Sequence, residues 1–266
     1  MVFKPWTDQR APRHLLEDNE EDFSTPLHLP NVSMESSEGL KSFTGTLLVI
    51  PESLKFITET LNKLYPETST LAELVIKKKF TRRIDSEDFI EDEQLYAATE
   101  ADKVHEEIVS STISITKYTE LLAICCVKNY ENIDKINYTL VSTSLLNSST
   151  NATIVTLTPG TLPFDQLIAT LGGKWSTEQY VQLVPPFVVT GIAGSLISQA
   201  QILGKEVHAL VLQSEGVPGF EKVNEYAVEE IANLLKDRFK LGDEFNKTLN
   251  VVLHSGKSVN NLGLYL

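Results

Sequence analysis

Leu121-Leu122-Ala123-Ile124-Cys125-Cys126-Val127 is an unbroken apolar run. A strand with one wet face alternates apolar and polar residues, whereas a strand covered on both faces has no such need. The run therefore predicts a central strand, and with it a sheet that carries helices on both sides. Its two cysteines obey the same geometry. Neighbours on a strand point to opposite faces, so Cys125 and Cys126 are expected in different layers, unpaired and without the makings of a metal site. Buried reduced thiols imply a reducing compartment.

Upstream, Ile108 to Thr116 alternates, with Ile113 and Ile115 on one face, as in a half-buried strand. Only Lys117-Tyr118-Thr119-Glu120 separates it from the apolar run, so the two read as a hairpin. Earlier still, Phe43 to Ile50 reads as a buried strand stopped by Pro51. Leu54, Ile57, Leu61 and Leu64 then recur at helical spacing before Pro66, and Leu71 to Phe80 reads as a further strand. The first 40 residues mix Pro5, Pro12, Pro26 and Pro30 with acids and with the isolated anchors Phe3 and Trp6. Such an arm cannot hold a helix for long. It either packs on the body or a partner, or stays a disordered tail. Residues 82–107 are dominated by Asp and Glu, including Glu91-Asp92-Glu93. They read as a solvated insertion or as an acidic contact surface.

Downstream, Ile133, Ile136, Leu140, Val141 and Leu145 form a helical stripe, and Ala152 to Leu157 a strand. Trp175 to Val184 is ambiguous. Pro185-Pro186 introduces a mostly apolar segment, Phe187 to Leu203, read as a central and nearly buried helix. A strand at Val207 to Leu212, a turn-rich loop at 214–222, an amphipathic helix at Val223 to Phe239 and a short last strand at Leu249 to Leu253 complete the order. The alternation predicts a single α/β domain, a mixed sheet flanked by helices on both faces. The expected divisions are an arm at 1–40, a body at 41–254 with the acidic insertion, and a flexible tail at 255–266.

A net charge of −13 lacks the clustered Lys and Arg that nucleic acid or an anionic membrane requires, so neither is expected as a partner. The start, Met1 to Trp6, shows no basic region followed by an apolar core, and no apolar run is long enough to span a bilayer. Cytoplasmic residence is expected, with the nucleus as an alternative.

Enzyme signatures fail in turn. Gly256-Lys257-Ser258 resembles the end of a phosphate-binding loop, but Val251 stands where the motif needs glycine. Gly191-Ile192-Ala193-Gly194 lies inside an apolar helical pattern rather than between a strand and a helix. His14, His28, His105, His208 and His254 have no metal-ligand spacing, and no metal or cofactor is expected. Glu215 and Glu221 flank the loop from Ser214 to Lys222, after a strand, where α/β enzymes keep catalytic groups. They could form an acid/base pair, which keeps a small-molecule enzyme as the alternative reading, or they could cap the following helix.

The end, Leu264-Tyr265-Leu266, places an aliphatic side chain, a tyrosine and an α-carboxylate after a polar run. A buried carboxylate needs a cation or a cluster of N–H donors, and tyrosine suits a half-buried pocket. A plainer alternative is that the last residues tuck against an edge strand.

Four segments together carry a resemblance: Met1-Val2-Phe3-Lys4-Pro5-Trp6, Pro185-Pro186-Phe187-Val188-Val189-Thr190-Gly191, the Ser214 to Lys222 loop, and Gly263-Leu264-Tyr265-Leu266. In this order the chain resembles the fungal proteasome assembly chaperone 1 subunit family, while residues 66–110 add no support. The resemblance implies a non-enzymatic protein that pairs with a chaperone 2 subunit and sits on the outer face of the assembling 20S α-ring. It further implies that Leu264 packs in a pocket mouth between neighbouring α subunits, that Tyr265 packs and hydrogen-bonds, and that the Leu266 carboxylate meets a lysine.

Overall fold

A computed structural model describes residues 29–83, 104–130, 132–172, 180–216 and 221–260. The chain divides into two compact units, Met1–Asn31 with Lys77–Ser110, and Val32–Ile76 with Ser111–Leu266. In the first, the described residues are mainly strand, with Ile108 and Val109 exposed. The second holds the layered core.

Among the described residues the ten strands are β1 (Asn31–Glu35), β2 (Thr46–Pro51), β3 (Ser69–Arg83), β4 (Val104–Lys117), β5 (Leu122–Val127), β6 (Thr153–Gly160), β7 (Ile168–Leu171), β8 (Val181–Gln182), β9 (Val207–Glu215) and β10 (Lys222–Val223). The helices are α1 (Glu38–Ser42), α2 (Phe56–Leu64), α3 (Ile136–Ser148), α4 (Gly191–Leu203), α5 (Glu225–Phe239) and α6 (Glu244–Asn260). The sheet runs β1-β3-β4-β5-β2-β6-β9-β7-β8, with β10 attached to β9. Its centre is parallel: β2 pairs with β5 (Thr46 opposite Leu122) and with β6 (Thr46 opposite Thr153), and β6 pairs with β9. β4 joins β5 antiparallel, as the hairpin reading requires, and β7 joins β9 antiparallel. The sheet is thus mixed, as expected.

Period-2 alternation sorts the strand residues into two cores. Leu48, Ile50, Ile124, Val155 and Leu210 face one way and meet α2, α5 and α6. Leu47, Val49, Ala123, Cys125 and Val127 face the other and meet α1, α3 and α4. Cys125 and Cys126 are free thiols in opposite layers, Cys125 in the second core and Cys126 against the first.

Several boundaries differ from the sequence reading. Leu249 to Leu253 is not a strand but the middle of α6. Phe245, Leu249 and Val252 are all buried, a spacing of four and three that only a helix puts on one face. Because α6 continues to Asn260, Ser255 to Asn260 of the expected tail are helical, and Gly256-Lys257-Ser258 sits in a helix rather than a loop after a strand. Asn261–Leu266 lie outside the described residues, as do Phe3 and Trp6 and residues 84–103 of the acidic stretch. Its ends belong to strands, Arg82 and Arg83 to β3 and Val104 to Glu107 to β4. The C-terminal part of the expected arm is structured: β1 falls within it, α1 begins in it, and Leu40 is fully buried.

The helix expected from Phe187 starts only at Gly191. Thr190 is extended (φ −120°, ψ −178°), and Gly191 has φ +62°, which breaks a right-handed helix upstream. A Cβ at Gly194 would lie 2.5 Å from the Val189 carbonyl, so a glycine there lets the incoming chain lie against the first turn. Nor is α4 nearly buried. Ile192, Ala193, Leu196 and Ala200 face the core, while Ser198, Gln201, Ile202 and Leu203 are exposed.

Candidate functional site

β2 and β5 are adjacent and parallel, yet the helices that follow them cover opposite faces, α2 one and α3 the other. Chain departures that diverge in this way open a crevice at the C-terminal ends of the strands. A cleft of about 310 Å³ lies there, lined by Pro51 at the end of β2 and Ser53 after it, Asn129 and Tyr130 after β5, Thr158 and Pro159 of β6, Lys135 and Tyr138 at the start of α3, Thr190, Gly191 and Ile192 at the start of α4, and Glu221. The Asn129 N–H donates to Glu52 Oε2 at 3.3 Å, tying the two strand exits together. The Tyr130 N–H donates to Tyr138 Oη at 2.9 Å, and the two rings meet edge-to-face with centroids 4.9 Å apart. Burial, and then the neighbouring Tyr138, pushes the Tyr130 phenol up, so it stays protonated.

The Ser214–Lys222 loop is described at its two ends only, since 217–220 lie outside the described residues. Glu221 lines the cleft, but Glu215 is not among the lining residues. It sits on the strand pair, opposite Lys222, next to Gly216 at φ +112°. The acid/base pair that the alternative reading needs is therefore not assembled in the cleft. Neither carboxylate is the cap of α5. Asn224 Oδ1 accepts from the Tyr226 N–H at 2.9 Å, Asn224 Nδ2 donates to Gln213 Oε1 at 2.6 Å, and the Asn224 N–H donates to the Gln213 carbonyl at 2.8 Å. The loop is closed by an asparagine cap pinned to β9, which is a structural device. No group of His, Cys, Asp and Glu among the described residues could hold a metal ion.

A model of the POC1 chaperone family matches residues 1–266. The chain belongs to the POC1 chaperone family. It is 23% identical over 248 residues to proteasome chaperone 1 of Saccharomyces cerevisiae, with 84% of each chain covered. Its fold is similar to two Pyrococcus furiosus proteins, each at 11% identity and a TM-score of 0.51. PbaB, described as an archaeal proteasome activator, is matched over 87% of this chain and 98% of its own. PbaA, described as an archaeal homolog of proteasome-assembly chaperone, is matched over 88% and 96%. The family places the chain among chaperones of the proteasome, and the α/β layered fold is the one these proteins share.

Leu264, Tyr265 and Leu266 lie outside the described residues, and α6 brings the chain as far as Asn260. Among the described residues no helix is long and apolar enough to cross a membrane. The sequence reading did not single out Tyr130, Lys135 and Tyr138, which come together only because two strand exits meet. No spacing along the chain announces that meeting.

Proposed function

We propose that this chain is a non-enzymatic proteasome assembly chaperone subunit that pairs with a chaperone 2 subunit and docks its C-terminal Leu264-Tyr265-Leu266 between α subunits of the 20S core particle. The observation that carries the reading is the family match over the whole chain, ending in an apolar residue, a tyrosine and a leucine. Docking there favours correct α-ring assembly and holds off activators that would use the same pockets. The site of action is the cytoplasm or nucleus.

Magnitudes make the tail a weak ligand when alone. Burying Leu264 contributes about 1.5–3 kcal/mol. A hydrogen bond from a charged donor to the Leu266 carboxylate adds about 1.5–3 kcal/mol. Ordering each tail residue costs about 1–2 kcal/mol. The sum is close to zero for three residues, so useful affinity comes from the folded body or the partner raising the effective concentration of the tail.

The test is capture of proteasome intermediates with the full chain and with residues 264–266 deleted, each checked for folding by circular dichroism. The full chain is expected to capture α subunits, the chaperone 2 subunit and immature cores. The deletion is expected to keep the partner and lose the cores. Failure of the full chain to capture any α subunit would overturn the proposal.

A further inference from the structure

The layer of α2, α5 and α6 differs in its outer surface from α3 and α4, which cover the other face beside the short, charged α1. α5 carries Glu225, Glu229, Glu230, Lys236, Asp237 and Arg238, and α2 and α6 carry charges as well. α3 and α4, of thirteen residues each, contain no Asp, Glu, Lys, Arg or His at any position. The stretch from Gln179 to Gly204 contains none either, in a chain of which 22% is charged. Solvent-facing helices ordinarily place charges on their outer side. Here the outer side offers Ile202 at 74% exposure, and the approach to α4 adds Val181, Val184 and Val188 at 53%, 57% and 72%. Loss of charge together with exposed aliphatic groups marks the centre of a protein interface rather than a finished surface.

We infer that the α3/α4 layer, with the 181–188 segment leading into it, is the face on which the chaperone 2 subunit docks; this rests on the heterodimer reading above. Charge selects the occupant. A nucleic acid or an anionic membrane needs cations, and these segments supply none. A strongly charged protein surface would be desolvated against them without pairing. A second copy of this chain would bring a further −13 against −13, and the two would repel. The occupant that fits is a different folded subunit with an equally uncharged, aliphatic face. α4 spans about 20 Å, long enough to run across a patch of about 800 Å² per partner.

The test co-expresses the chaperone 2 subunit with the wild-type chain and with Val188→Glu, Ile202→Glu and Val251→Glu. The last is the matched control, since Val251 is 62% exposed on α6 of the other layer. All three positions are well exposed, and circular dichroism confirms that each variant folds. Burying a glutamate at the centre of the interface is expected to weaken association about 30-fold or more for V188E and I202E. V251E is expected to bind as wild type. If wild type pairs and all variants pair equally well, the face is wrong and the heterodimer stands. Equal weakening by V251E also overturns the face. If wild type does not pair with chaperone 2, the heterodimer reading fails with it. Self-association of wild type that I202E abolishes would make the occupant a second copy.

Discussion

The layer of α2, α5 and α6 covers one face of the sheet, and α3 and α4, beside the short α1, cover the other, each burying an aliphatic stripe against it. Outside, they part company. α5 alternates buried Ile231, Leu234 and Leu235 with Glu229, Glu230 and Arg238, as a helix facing water does. α3 and α4 turn serine, threonine, glutamine and isoleucine outward instead. Burial in the core decides that a helix packs, and both layers satisfy it. What a helix does on its free side is a separate property, and only there do the layers differ.

The largest effect expected is in the two cores. Phe245, fully buried under α6, should cost about 3–5 kcal/mol as Phe245→Ala, and Leu145, fully buried under α3, about 2–5 kcal/mol as Leu145→Ala. Urea unfolding of the isolated chain measures both. A near-neutral Leu145→Ala would break the comparison, because the uncharged layer would then form only on binding.

Alkali should next separate the two thiols. Burial, then Glu52, pushes Cys126 up to about 11, and burial pushes Cys125 higher still. Burial likewise raises Tyr118 to about 12, where its hydroxyl donates to Asn62 Oδ1 at 2.7 Å. In the unfolded chain these groups ionise first as pH rises. Their contribution is therefore complete below about pH 9 and is lost as pH climbs through 11 and 12. Melting temperature should fall across that window, and Cys126→Ala should shallow the fall. A thiol reagent should reach Cys126 in the folded chain and Cys125 only on unfolding.

A smaller effect is expected at the start of α5. Asn224→Ala removes the bond to the Tyr226 N–H and should cost about 1 kcal/mol, within the about 0.5–2 kcal/mol range for such caps. Glu221→Gln, at a residue that lines the cleft and is not the cap of α5, should leave stability unchanged by the same urea assay. Smallest of all is the pair Lys236–Asp243, 2.7 Å apart on the charged layer. Its hydrogen bond raises the lysine and lowers the aspartate, but Asp243 is exposed and Lys236 partly so, and water screens the pair. Lys236→Ala should leave the melting temperature unchanged within error. A measurable loss would mean that surface charge on this layer stabilises the fold as well as hydrating it.

Much of this was legible along the chain. Leu122 to Val127 announced a strand covered on both sides, and the adjacent cysteines announced opposite layers, because alternation is a property of the extended backbone itself. Ile57 and Leu61 marked α2, and the α5 stripe was plain, because a period near 3.6 persists only in a helix. The absence of charge from Gln179 to Gly204 was also there to read, as was Leu264-Tyr265-Leu266. Other features were not local. Leu249 to Leu253 looks like a short strand until Phe245, Leu249 and Val252 are seen buried on one side of a helix that packs on α2. Short apolar runs carry too few periods to choose between the two conformations, so packing chooses. Tyr130, Lys135, Tyr138 and Glu221 share a cleft only because parallel strands end side by side, which no spacing encodes. By itself the sequence determined the buried residues and the period of the central strand and of the α2 and α5 stripes. The tertiary structure alone decided which helices share a layer, and therefore that the uncharged segments form a surface, since neighbours across a sheet are set by strand order and not by position in the chain.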